Sequence, residues 1–292
     1  MAVAVVTDTT HYMPGEVVES AGIHLVPLYV NWPDGRTARE TELPGFQPFY
    51  DELITAKDLP TTSQPSVGDF LAVYEPLLER GDDILSIHLS GTLSGTVESA
   101  EQARAHLVDQ GIDPGRIAVM DSTTGCAGHG EVALAAASAA RAGASVEEAL
   151  AAARRCREGV VIIFAVDTLE YLRRGGRIGA ASAYLGTALK VKPILTFDGT
   201  LRPVTRVRTS SRAVEHLAGH LAERREQGCD AFVVQHVQAP EQAARMADRG
   251  REIFGADAEY ISEIGPVVGT HVGPGLIGVS AYERALVEAP AG

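Results

Sequence analysis

From its first residues to about position 160 the chain alternates short apolar runs with longer stretches of helical period, and this rhythm restricts its fold more than any other feature. Residues 3–7 form a short β-branched run that ends at the polar cluster Asp8-Thr9-Thr10, as the carboxyl end of a buried strand does. A second apolar run covers 25–30. Val67, Phe70, Leu71, Tyr74, Leu77 and Leu78 fall on one face of a helix, and Ser66 with Asp69 offers it a capping box. A strand over 84–89 and a helix over 96–107 follow, then a strand over 116–120 ending at Asp121. Two Ala-rich helices, about 127–142 and 145–157, are separated by Gly143. Strands alternating with helices of this length imply a parallel sheet covered on both faces.

Beyond 160 the texture changes. A continuous apolar strand at 160–166 precedes a short helix (168–173) that stops at Gly175-Gly176, and 180–189 reads as another helix. Runs at 194–197 and 201–207 flank Asp198-Gly199-Thr200, a hairpin connection. Helix 211–227, strand 231–237, helix 240–254, strand 259–264 and a closing strand at 277–282 complete the set. A hairpin among crossovers implies a mixed sheet. The fold expected is α/β in two domains. Residues 1–158 form a mostly parallel three-layer domain, 159–284 an α/β domain with a mixed sheet, and 285–292 a tail.

A length of 292 residues suits two modest domains. The net charge of −13 excludes a surface built to grip nucleic acid or an anionic membrane throughout. Three cysteines, with no Cys-x-x-Cys pair, argue against a disulfide framework or a thiolate zinc site and fit a reducing cytosol. No apolar run reaches the 18 or more residues of a membrane span, and the apolar N-terminus has no basic region before it. A soluble, cytoplasmic protein is the expectation.

Three loops are rich in hydroxyls and glycine: Pro60-Thr61-Thr62-Ser63-Gln64-Pro65-Ser66, Leu89-Ser90-Gly91-Thr92-Leu93-Ser94-Gly95-Thr96 and Asp121-Ser122-Thr123-Thr124-Gly125. Ligands of open α/β sheets bind beyond the carboxyl ends of strands, where helix N-termini present N–H groups and a partial positive charge. The second loop suits a carboxylate or phosphate, although the same residues also fill ordinary turns and caps. It is neither a Walker loop nor a dinucleotide fingerprint. Asp8 and Asp121, at strand ends, are expected to cap or position loops. Ser94 and His271 could be a nucleophile and its base, but no orienting acid accompanies them and Leu93-Ser94-Gly95-Thr96 is not a Gly-x-Ser-x-Gly elbow. By itself, His271 in its Gly-rich strand end reads as hydrogen-bonded structure. Cys126, near His129, reads as a small buried cysteine rather than a nucleophile. The histidines show no metal-ligand spacing, so neither a metal nor a cofactor is expected.

Five ordered motifs carry a resemblance that covers nearly the whole chain. Thr7-Asp8-Thr9-Thr10, Thr62-Ser63-Gln64-Pro65-Ser66, Leu93-Ser94-Gly95-Thr96, Leu172-Arg173-Arg174-Gly175-Gly176-Arg177-Ile178 and Gly269-Thr270-His271-Val272-Gly273-Pro274-Gly275 resemble those of the DegV family. Thr9 stands where that family usually has Ser. The resemblance implies a fatty-acid-binding protein, not an enzyme acting alone. It would present a long-chain acid such as palmitate or oleate to a separate fatty acid kinase, with no nucleic acid partner and at most transient membrane contact. It further implies that Thr62 and Ser94 bond the carboxylate, with the N–H of Gly95 as a further donor and His271 beside them. Ser63, Ser66, Arg173, Arg174 and Arg177 would support the head group or the pocket mouth. A sixteen-carbon chain could yield roughly 11 kcal/mol gross at about 0.8 kcal/mol per methylene, before ordering costs. The competing readings are a hydrolase or phosphotransferase using Ser94 and His271, related to dihydroxyacetone kinase domains, and an interaction module without a small ligand.

The acidic total hides a basic stretch. Arg173, Arg174, Arg177, Lys190, Lys192, Arg202, Arg206, Arg208 and Arg212 are opposed only by Asp198. Solvated arginines would explain it, but a docking face for the kinase, centred on Arg202 and Arg206, is the sharper expectation.

Overall fold

A computed structural model describes residues 2–184 and 191–288. The strands are β1 (Val3–Asp8), β2 (His24–Val26), β3 (Tyr29–Asn31), β4 (Thr37–Arg39), β5 (Thr61–Ser63), β6 (Asp83–His88) and β7 (Ile117–Asp121). They continue as β8 (Val161–Ala165), β9 (Lys192–Phe197), β10 (Leu201–Val207), β11 (Ala231–His236), β12 (Ile261–Glu263) and β13 (Ile277–Tyr282). The helices are α1 (Gly15–Ala21), α2 (Gln47–Thr55), α3 (Val67–Glu79), α4 (Thr96–Asp109), α5 (Cys126–Arg141) and α6 (Val146–Gly159). After them come α7 (Glu170–Arg174), α8 (Ser210–Glu226), α9 (Pro240–Phe254), α10 (Pro266–Val272) and α11 (Arg284–Val287).

The chain divides into two compact units. The first comprises Met1–Tyr29, Ser63–Gly159 and Arg284–Gly292, the second Val30–Thr62 and Val160–Glu283. In the first unit the sheet order is β2-β1-β6-β7, parallel throughout. Alternation along β1 and β6 sends Ala4, Val6 and Ile84 into one apolar cluster with Phe70, Tyr74 and Leu77 of α3 and Ala100, Ala103 and Leu107 of α4. Helices α5 and α6 pack on the same strands, making three layers. Ser66 caps α3 as the spacing predicts, its Oγ accepting from the amide of Asp69 at 3.2 Å.

The second unit has a mixed sheet, order β10-β9-β8-β13-β11-β12, in which only β11 and β12 are parallel among the pairs described. Helices α8 and α9 bury Leu217, Leu221, Met246 and Phe254 against Ile163, Ile194, Phe232 and Val279 of that sheet. A small three-stranded sheet, β4-β3-β5, completes the strands.

Four features differ from the sequence-based expectation. The boundary expected at 158 misses an excursion, because 30–62 joins the second unit. There Tyr50 donates to the Ile264 carbonyl at 2.6 Å, and the buried Glu40 carboxylate accepts the amide of Val267 at the start of α10 at 2.7 Å. The run at 25–30 is two strands, interrupted after Val26 by Pro27, which has no N–H to donate to a ladder. The expected tail begins with α11, which packs on α5 and α6. Gly179–Tyr184 is a 3-10 helix, while the remainder of the helix expected over 180–189, and Lys190, lie outside the described residues.

Gly250 sets the spacing of α9 on its sheet, since an added Cβ would penetrate the buried ring of Phe232. Ala would gain about 1 kcal/mol of helix propensity, but overpacking a core costs about 1–3 kcal/mol. Gly250→Ala should therefore lower the urea midpoint; a raised midpoint would show that α9 can move away without loss.

Candidate functional site

In the first unit, β1, β6 and β7 run parallel, so their carboxyl ends share one edge of the sheet. The polar segments starting at Asp8, Leu89 and Asp121 all emerge there. Ser94 Oγ lies 2.8 Å from Thr96 Oγ1, at the amino end of α4. That helix begins at Gly95 with no side-chain cap, so its first N–H groups point outward unclaimed by a capping side chain. A Cβ on Gly95 would sit 2.7 Å from Gln64 Nε2, which packs the Gln64 loop onto the Ser94 loop. Ser66 is engaged in its cap, and its hydroxyl also donates to Asp69 at 2.6 Å.

Behind this edge lies a buried polar network that motif reading misses. Asp8 Oδ1 accepts the amide of Thr10 at 3.0 Å and its hydroxyl at 2.5 Å, while Oδ2 accepts the amide of Leu89 at 2.9 Å. His88 Nδ1 lies 3.1 Å from the same Oδ2, and its Nε2 lies 2.7 Å from Ser86 Oγ, which accepts from Tyr74 at 2.6 Å. Because a carboxylate only accepts, His88 carries its hydrogen on Nδ1. Burial opposes ionisation of Asp8, but His129, His88 and Thr10 outweigh it and hold the carboxyl well below its usual range. The order Ser86–His88–Asp8 is that of a hydrolytic triad. All three are fully buried, and Tyr74 occupies Ser86, so the arrangement is structural. The sequence signal was available: Ser86 and His88, two apart on a strand that is otherwise apolar after Asp83, face the same side. His129 turns its Nε2 to Thr7 Oγ1 at 2.7 Å and to the Ile87 carbonyl at 3.2 Å. Cys126 is half-buried, not buried, and is free of any disulfide. Among the described residues no three His, Cys, Asp or Glu side chains are placed to hold a metal ion.

In the second unit Thr62 Oγ1 lies 2.8 Å from His271 Nε2, so the structure joins two of the expected residues. His271 sits in the last turn of α10, not at a strand end as its Gly-rich surroundings imply. Burial, reinforced by the charge of Arg177, lowers its pKa to about 4, so the ring is neutral at physiological pH. Its Nδ1 is buried and unpartnered among the described residues. Gly175 is essential to this placement, because a Cβ there would collide with that nitrogen. Gly273, at φ 74°, likewise leaves room for the ring of Tyr171, so the Arg-Gly-Gly-Arg and closing motifs pack on each other.

The arginines differ in their engagements. Arg173 pairs with Glu170 at 2.7 Å and Arg174 donates to the Lys57 carbonyl at 2.8 Å. Arg177 donates to the Gly175 carbonyl at 2.7 Å, and of the three it is the one whose charge bears on His271. Ser63 is exposed at the end of β5. Within its own unit each has a hydroxyl partner, Thr96 for Ser94 and Thr62 for His271.

A family model described as "Uncharacterised protein, DegV family" matches residues 2–284. The chain belongs to the DegV family. A DegV domain-containing protein of Streptomyces coelicolor is 40% identical over 97% of this chain and 99% of its own length. A DegV family protein from Thermus thermophilus, described by its fatty acid binding, superposes with a TM-score of 0.87 at 35% identity, over 97% of this chain and 100% of its own. DegV of Bacillus subtilis, described as a fatty acid binding protein, gives a TM-score of 0.84 at 37% identity over 97% and 100%. The Thermus and Bacillus relatives are both described as binding fatty acids. No helix among the described residues is long and apolar enough to cross a membrane.

Burial lowers the pKa values of His271 to about 4 and His11 to about 3, and it lowers that of His129 as well. The unfolded chain, with ordinary histidines near 6.5, therefore takes up protons first. Stability should be complete above that value and fall as pH drops toward 4. His271→Gln should flatten the fall in melting temperature by removing a share of at most about 3 kcal/mol. An unchanged pH profile would place His271 outside the acid response.

Proposed function

We propose that this protein holds a long-chain fatty acid, such as palmitate or oleate, and presents it to a separate fatty acid kinase that forms the acyl phosphate. The acyl chain lies in an apolar interior. The carboxylate is met by the hydroxyls of Thr62 and Ser94 and by the N–H of Gly95, with His271 beside it. The fatty-acid-binding descriptions of the Thermus and Bacillus relatives support the ligand class.

The observation that carries this reading is the bond between Thr62 and His271. A neutral ring with its hydrogen on Nε2 donates to Thr62 Oγ1, and the threonine hydroxyl is left to donate to an anion. The opposite tautomer would bury an N–H at Nδ1 without an acceptor among the described residues. Taking a carboxylate out of water is expensive unless several donors meet it. The open amino end of α4 adds N–H groups and a partial positive charge, and Arg177 adds a full one. The head-group residues set position, while burial of the chain supplies most of the affinity. The ligand is the cargo itself, and the reading calls for no cofactor. On this account the protein works in the cytoplasm and touches membranes only transiently.

The kinase docks on the exposed face of the edge strand β10. Arg202, Val204 and Arg206 alternate outward there, and Arg206 lies over the ring of Tyr184 at 4.5 Å. Ser63, Arg173 and Arg174 flank the pocket mouth.

Mass spectrometry of gently purified protein should reveal a bound fatty acid. A protein that is empty and also ignores added palmitate and oleate would refute the reading. Thr62→Ala with Ser94→Ala should weaken palmitate binding by roughly tenfold or more, as loss of hydrogen bonds to a charge does; unchanged affinity would remove both from the site. Charge reversal at Arg202 and Arg206 should impair phosphorylation by the kinase while sparing lipid binding. Loss of both, or of neither, would contradict the docking face.

A further inference from the structure

Three consecutive amides at the exit of β6 are tied to its neighbours, two to the carboxylates that end β1 and β7 and one to the loop after β7. Leu89 N–H donates to Asp8 Oδ2 at 2.9 Å, Ser90 N–H to the Thr124 carbonyl at 2.9 Å, and Gly91 N–H to Asp121 Oδ2 at 3.1 Å. Since β6 lies between β1 and β7, the two carboxylates hold the loop from both sides. The chain then turns on Ser90, whose carbonyl accepts the amides of Leu93 at 2.9 Å and Ser94 at 3.2 Å. The place of Ser94 thus follows from that of Ser90, which is fixed by the anchors on either side of it.

Neither carboxylate can be replaced by an amide. Both oxygens of Asp8 accept, Oδ1 from Thr10 and Oδ2 from Leu89 and His88. Asp121 accepts on both as well, from Thr123 at 2.7 Å and from Gly91. Asparagine would offer one acceptor and set an NH₂ against the remaining N–H.

We propose that Asp8 and Asp121 are positioning residues for Ser94: they hold the β6–α4 loop so that its hydroxyl and the N–H of Gly95 converge on the fatty acid carboxylate. This rests on the reading that Ser94 binds that carboxylate. Calorimetric titration with palmitate and with hexadecanol, which has the same chain without the carboxylate, separates head-group positioning from general damage.

Asp8→Asn and Asp121→Asn should each weaken palmitate roughly tenfold and leave hexadecanol within about twofold. Either change added to Ser94→Ala should cost clearly less than the sum of the two single losses, because the residues act through one another. Unchanged palmitate affinity in Asp121→Asn would overturn the inference, as would equal loss of the alcohol or fully additive losses. Asp121 is only half-buried, so its variant carries the test even if Asp8→Asn fails to fold. A wild-type protein that does not bind palmitate would instead overturn the fatty acid reading itself.

Discussion

A carboxylate buried at the end of the first strand governs the organisation of the first unit. Asp8 is fully removed from water, and an ion so placed is tolerated only when donors surround it. They come from three directions: the amide and hydroxyl of Thr10, the amide of Leu89, and the imidazole of His88, itself backed by Ser86 and Tyr74. Satisfying one charge therefore fixes the turn after β1, the exit of β6 and the inner face of α3 together. The hydroxyl loop that leaves β6 inherits this rigidity, which the proposed carboxylate site would need in order to meet a ligand's charge without reorganising.

The second unit reaches a similar end by shape. Gly175 and Gly273 have no Cβ where His271 and Tyr171 need space, so α7 and α10 approach closely enough to bury a neutral imidazole beside Thr62. Burial that costs the ring its proton also fixes its chemistry as a neutral partner to a hydroxyl. The two units thus use different means, a satisfied charge and a close-packed glycine pair, to orient hydroxyl donors.

Most of the fold is legible in the sequence because periods of two and 3.6 persist whatever they pack against. The three-layer unit, the capping box at Ser66 and the hairpin at Gly199 follow from local chemistry alone. The excursion of 30–62 is not legible, since it rests on Tyr50 and Glu40 finding partners 214 and 227 residues away. The same limit applies to the candidate site. Motif likeness names Thr62, Ser94 and His271, but the bond between Thr62 and His271 spans 209 residues and no local pattern announces it. Asp8 and His88, 80 residues apart, leave only a faint trace as polar residues on buried strands.

The central claim is that hydrogen-bond donors of this chain hold a fatty acid carboxylate in its ionised form. Carbon NMR of bound palmitate labelled at its carboxyl carbon tests it most directly. The account predicts a bound resonance, distinct from the free acid, that does not move as the pH is lowered toward about 5, where ordinary carboxylic acids begin to protonate. A carboxyl resonance that titrates with the free acid, or no bound resonance at all, would contradict it.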